Sequence, residues 1–246
     1  MKQLFIIQIV ILTLHTGLCQ GLEDIIVEKY YISDKEKPTF TGWDTLPKGS
    51  VTYRIYVDMA PGYRLNTLYG NENHLLRIST TTYFYNDPVW GTSSGDRINH
   101  RAINLASLVL DSWLSVGAAT NAHHGVLLSD DTDGSIISKE LLMNADGLME
   151  GEPPVMVPFN LNLKIFEDAT DLKIFETNNG AWGVFQLNRE STPENRVLIA
   201  QLTTDGQLSF ELNIQLGTPD CGDPEIYVAR DPADNEILFD KLIYGE

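Results

Sequence analysis

Oxygen-bearing side chains at alternating positions carry the clearest chemical signal in this chain. In residues 129–140 (SDDTDGSIISKE), Asp131 and Asp133 stand at the third and fifth positions of a calcium-loop template, Gly134 at the sixth, Ile136 at the eighth and Glu140 at the twelfth. Hard oxygens so spaced can wrap one cation, and glycine permits the sharp turn between them. Ser129 occupies the first position, where the template has aspartate, and the flanks do not read as helices. The candidate metal ligands are therefore Ser129, Asp131, Asp133 and Glu140, set against a solvated Gly/Asp turn. A second acidic cluster, Asp231, Asp234 and Glu236, is a weaker candidate of the same kind.

Nucleophilic chemistry has one motif, Gly91-Thr92-Ser93-Ser94-Gly95, which matches G-x-S-x-G. The nucleophile elbow needs a strand before it and a helix after, whereas Pro88 precedes and Asp96-Arg97 follows, so a Ser/Gly loop is expected. His123-His124 would point to opposite faces of a strand, with no H-x-x-x-H to complete a metal set, and solvated histidines are expected. His74 and His100 are isolated. Carboxylate pairs for glycoside hydrolysis meet only in space and stay open as an alternative. Aromatic residues crowd the first third of the chain: Tyr53, Tyr56, Tyr63, Tyr69, Tyr83, Phe84, Tyr85 and Trp90. They suit two-sided burial, or a flat strip that stacks on sugar rings or a protein partner.

The elements that would hold these residues are strands. Val51, Tyr53, Ile55, Val57 and Met59 alternate with polar neighbours, and so do Leu208, Phe210, Leu212, Ile214 and Leu216. Residues 196–217 read as a hairpin with a three-residue loop, 204–206, its first strand apolar on both sides and covered twice. Residues 63–69 are expected to partner 50–59 across Pro61-Gly62. Strands are also expected at 25–33, 75–85, 126–128, 226–229 and 237–244. The repeat at 163–167 and 172–176 reads as two neighbouring strands, and Asn179-Gly180 as a further hairpin turn into 181–187. Residues 98–116 are the one helix candidate, and Trp43 and Trp90 are expected to anchor their loops. The pattern predicts an all-β antiparallel sandwich, jelly-roll-like or immunoglobulin-like, with at most one short helix, as a single domain or two subdomains with no sharp boundary between them.

Composition bears on location. Lys2, the apolar run 4–14 (LFIIQIVILTL) and small residues Gly17 and Cys19 read as a signal peptide over 1–19, with 20–246 as the exported β domain. That run is well short of the ~20 residues that cross a bilayer, so no membrane span is expected in the mature chain. An acylated Cys19 is the alternative. The formal charge of −17 becomes −18 when the one charged residue of the leader, Lys2, is removed. Such acidity disfavours nucleic acid as a partner and supplies carboxylates for a divalent cation. Only Cys221 remains after cleavage, in a loop between Asp220 and Asp223, where a neutral thiol is expected.

Four strings carry a resemblance: SVTYRIYVDMAPGYRLNTLYG (50–70), ISTTTYFYN (78–86), LDSWLSVG (110–117) and NRVLIAQLTTDGQLSFELNIQLGTP (195–219). The chain resembles a family of secreted bacterial β-rich modules of no established activity, found in surface and type IX-exported proteins. The resemblance implies a cell-surface or secreted location and a β-rich fold. It implies no chemistry. The sorting tail of that pattern is not seen up to Glu246, and Cys221 and the acidic loop at Ser129 also depart from it. The expected function is a non-catalytic module that binds a glycan or surface protein or takes part in an extracellular assembly. A calcium-assisted carbohydrate-binding module and a secreted hydrolase are the alternatives, with calcium the one cofactor considered.

Overall fold

The alternation in 51–59 becomes a strand buried on both faces. A computed structural model describes residues 20–33, 37–38, 45–103, 108–131, 147–167, 172–184 and 194–245. Its first strands are β1 (Leu22–Ile32), β2 (Lys37–Pro38), β3 (Thr45–Leu46), β4 (Val51–Met59), β5 (Arg64–Gly70) and β6 (Leu76–Thr80). Short strands follow: β7 (Trp113–Leu114), β8 (Ala118–Thr120), β9 (His123–Gly125), β10 (Leu148–Glu150) and β11 (Val157–Phe159). Next come β12 (Ile174–Thr177), β13 (Gly180–Gly183), β14 (Arg196–Thr204), β15 (Leu208–Glu211) and β16 (Ile214–Gly217). The chain closes with β17 (Glu225–Val228), β18 (Ile237–Leu238) and β19 (Ile243–Tyr244). The described residues contain no α-helix, and no helix there is long and apolar enough to cross a membrane. The fold is an all-β sandwich.

The central sheet has the order β1-β4-β14-β7. Tyr53, Ile55, Val57 and Met59 of β4 enter the larger core, and each fully buried aliphatic side chain contributes roughly 1.5–3 kcal/mol. Tyr56 points the other way, into a second core with Tyr30, Tyr85, Trp113 and Leu198. β14 is covered twice, as its composition predicts. A bulge between Leu198 and Ala200 changes its faces, however, so Val197, Ile199, Ala200 and Leu202 share the larger core while Leu198 alone enters the second. Over that second face lie the sheet β10-β9-β8 and the loops between β6 and β8, and β9 sits so close that a Cβ on Gly125 would overlap Leu198.

Arg54 lies within this second layer and is 2 % exposed. Its Nε donates to Gln201 Oε1 (3.0 Å), its Nη1 donates to the Gly147 carbonyl (3.1 Å), and the guanidinium lies 3.6 Å over the Tyr30 ring. Gln201 in turn donates to the carbonyls of Val109 (2.9 Å) and Asp111 (2.7 Å). Nearby, Glu28 accepts the Leu128 N–H (2.9 Å), and burial raises its carboxyl above the usual range.

The larger core is closed by two further sheets, β11-β13-β5-β16-β17-β18 and β12-β6-β15-β19. Three consecutive pairs, β5–β6, β12–β13 and β15–β16, pass from one to the other and keep the same neighbours in both. They behave as bent strands that turn a corner together. Asn213 clamps the bend: 1 % exposed, it donates from Nδ2 to the carbonyls of Tyr69 (3.2 Å) and Leu75 (3.1 Å). Gly70 sits opposite Gly180 at the same corner.

Several local expectations are overturned. β14 pairs with β4 and β7, whereas β15 pairs with β6 and β19, so residues 204–206 form a corner between sheets and no hairpin. Leu202 and Leu208 enter the same core from different sheets instead of pairing side by side. The hydroxyls of Thr80, Thr82 and Thr204 converge there (2.7 and 3.0 Å), and a Cβ on Gly206 would lie 2.6–2.7 Å from threonine oxygens. Asn179-Gly180 is a corner for the same reason. β5 likewise leaves β4, whose partners are β1 and β14. The first copy of the repeat is a 3-10 turn, Lys164–Phe166, because adjacent Ile165 and Phe166 are both buried, which a strand's alternation cannot do. The short strand expected at 126–128 lies at β9, and the helix candidate yields a 3-10 turn at Leu108–Leu110 and β7. Trp90 is 51 % exposed instead of docked in the body, while Trp43 and residues 1–19 lie outside the described residues.

Gly70→Ala tests the corner. A Cβ there would overlap the Thr177 carbonyl oxygen, so the usual stabilising effect of Gly→Ala should reverse into a loss of roughly 1–3 kcal/mol. Urea unfolding would read it as a lower midpoint, and an unchanged or higher midpoint would refute the corner packing.

Candidate functional site

The structure separates the residues singled out in the sequence. Of the calcium-loop set, Ser129 is exposed and donates to Asp130 Oδ1 (3.0 Å), and Asp131 is half-buried at the end of the same turn. Asp133 and Glu140 lie outside the described residues. Asp130 itself is held by Arg196 (2.6 Å). Among the described residues, no three of His, Cys, Asp and Glu converge to hold a metal ion. His123, expected in solvent, is buried, with Nδ1 2.9 Å from Thr120 Oγ1, because its strand packs on the central sheet. Cys221 is exposed in its loop, and Arg64 Nη2 approaches its Sγ at 3.5 Å, a neighbour the sequence did not reveal.

The G-x-S-x-G segment is a loop, as its flanks predict. It is wound around two buried carboxylates that patterning did not find. Asp111, fully buried, accepts the Asp87 N–H on Oδ1 (2.7 Å) and the Thr92 N–H on Oδ2 (2.9 Å). Asp87 accepts the N–H groups of Val89 (2.9 Å) and Trp90 (2.7 Å). Gly91 is required here, since a Cβ would overlap the Asp87 carbonyl. Ser93 donates to Glu167 Oε1 (2.9 Å), at the wall of a polar cleft of about 390 Å³ that Arg97 and Lys164 also line.

A second depression crosses the outer face of the six-stranded sheet, and strand register builds it. Val157, Gly183, Thr67, Gln215 and Ile226 are successive partners across β11, β13, β5, β16 and β17. Phe159, Ala181 and Tyr69 form the next row. Their alternates, Trp182, Leu68 and Tyr227, are fully buried, which fixes these rows as outward. Ala181 and Gly183 leave the floor low between Phe159, 68 % exposed, and Tyr69. Two hollows result, of about 190 Å³ by Phe159 and about 230 Å³ by Tyr69, and they share Thr67. Together they form a trough.

Glu236 closes the far end of this trough beside Tyr69, Asn71 and Gln215. Its Oε2 lies 2.8 Å from Nε2 of buried His74 and accepts the Ala233 N–H (2.8 Å), which leaves Oε1 available. His74 is seated by Asn71, whose Oδ1 accepts its N–H (2.8 Å). Burial, with the Glu236 charge adding to it, pushes the Tyr69 hydroxyl up to about 12, so it stays protonated and able to donate. Sequence reasoning set His74 aside as isolated. Its partner is far along the chain, and only the fold brings them together. Tyr53, Tyr56, Phe84 and Tyr85 are buried in the two cores, whereas Tyr69 lines a ligand-sized hollow with Phe159 beyond it.

The loop carboxylates set a pH test. Burial holds the Asp111 carboxyl well above its usual range, with the Asp87 charge adding to the effect against the backbone N–H groups. A raised folded value means that Asp111 stabilises most below the unfolded value of about 3.9 and loses that contribution as pH rises through the folded one. The stability difference between the parent and Asp111→Asn should therefore be largest in acid and shift against the parent toward neutral pH. Urea midpoints for both proteins across pH 3–8 measure it, and a constant difference would contradict the assignment.

No family model, curated protein or solved structure matches this chain, so its function has to be argued from the chemistry of the trough and its surroundings.

Proposed function

We propose that this chain is an exported, non-catalytic β-sandwich module that binds a partner outside the cell or at the cell surface, and that the outer-face trough is its binding surface. The carrying observation is the pair of register-matched outward rows, low at Ala181 and Gly183, walled by Phe159 and Tyr69 and ended by a carboxylate seated on a buried histidine. Sites of this kind combine a preformed hollow with a few fixed polar groups. Export is supported by the charged start and apolar run of residues 1–19, by the resemblance of four strings to secreted bacterial modules, and by the net charge of −17.

Binding is favoured over hydrolysis by what the polar side chains already do. Ser93 is hydrogen-bonded to a carboxylate, with no imidazole among the described residues that line its cleft. Of the carboxylates that meet in space, Asp58 and Asp130 are both tied up by Arg196, while Asp87 and Asp111 lie beneath a loop, where Asp111 spends both oxygens on backbone N–H groups.

Two measurements check this reading. Expressed from Met1 in a bacterial host, the chain should be recovered outside the cytoplasm with its N-terminus near Gln20; an intact leader in the cytoplasm would count against export. Labelled protein should be retained on bacterial envelope and extracellular material, and Ala181→Trp, which fills the trough, should abolish retention while leaving the unfolding midpoint in place. Equal retention of both proteins would remove the trough, and retention of neither would remove the binding reading.

A further inference from the structure

The trough runs across the strands on a sheet face, and that direction selects its occupant. A peptide that adds a strand needs unpaired backbone at a sheet edge. Here the strands from β13 to β17 are paired on both sides, so whatever lies in the trough is recognised by side chains alone. Five adjacent strands span four gaps, a path of about 19 Å at the usual spacing of about 4.8 Å. The path suits a chain of several linked units.

The side chains along it narrow the chemistry. Phe159 supplies a ring at one end, on β11, and Tyr69 one at the middle, on β5; Gln215 supplies an amide that donates and accepts, Asn71, whose Oδ1 is taken by the N–H groups of Asn73 and His74, an amide that donates, and Glu236 a charged acceptor. A carboxylate oxygen facing hydroxyl donors makes charge-assisted hydrogen bonds, roughly twice as strong as neutral ones. Among the described residues no cationic side chain lines either hollow, and the molecule carries a net charge of −17, so anionic chains are repelled. We propose that the trough binds a neutral polysaccharide, its sugar rings against Phe159 and Tyr69 and its hydroxyls on Glu236, Gln215 and Asn71. This inference rests on the reading of the trough as the binding surface and adds the class of ligand. His74 serves as a positioning residue that holds Glu236 from beneath.

Affinity gel electrophoresis and calorimetry on the whole mature protein, with soluble neutral polysaccharides (β-glucan, mannan, xylan and galactan) and one polyuronate as the anionic control, test the inference. At least one neutral polymer should bind and the polyuronate should not. Tyr69→Ala and Glu236→Gln should each weaken binding tenfold or more, whereas Trp90→Ala, on a separate loop, should bind as the parent does. Phe159→Ala, at a highly exposed position, serves if Tyr69→Ala fails to fold, and the same weakening is expected of it. The proposal is overturned if no neutral polysaccharide binds, if the polyuronate binds better, or if these variants bind unchanged. Envelope retention that Ala181→Trp abolishes, but that no neutral polysaccharide competes, would leave the trough as a binding surface and reject the glycan.

Discussion

Burial of the Arg54 guanidinium in the second layer is the constraint on which the rest of this structure leans. A charge taken out of water costs several kcal/mol unless its geometry is fixed and its donors are satisfied. Arg54 is satisfied by Gln201 of β14, by the backbone ahead of β10 and by the face of Tyr30 in β1. Those partners come from distant parts of the chain, so the central sheet and the layer above it must assemble in one arrangement. Gln201 extends the constraint to residues 109–111, and hence to Asp111 and the loop it gathers.

On the opposite side of the central sheet the requirement is plain apolar burial, and bent strands meet it. Three strands that turn the same corner give the larger core two walls without any free end at the bend. The corner also sets the outer surface. Tyr69, clamped through its backbone by Asn213, faces outward one residue before Gly70, and the turn that follows carries Asn71 and His74. The residues that make the trough polar are thus the ones next to the bend.

Much of this was legible in the chain. Period-two alternation located β4, β15 and β16, and the unbroken apolar run 197–200 marked a strand covered on both faces. What patterning could not decide was whether a turn folds a strand back beside itself or carries it to another sheet. Asp205-Gly206 and Asn179-Gly180 have the turn chemistry for either, and the choice lies in side chains far away, such as the threonines that surround Gly206. The candidate site was hidden for the same reason. Gln215 and Thr67 become neighbours through register, and His74 meets Glu236 across most of the chain, whereas local spacing drew attention to 129–140.

One edge of the six-stranded sheet is β11, three residues long with Pro158 at its centre; the other is β18, of two residues. A proline offers no N–H to an incoming strand, and so short an edge offers few other groups for pairing. A strand approaching this rim would therefore find it blunted. Edge-to-edge pairing through β11 is thereby hindered.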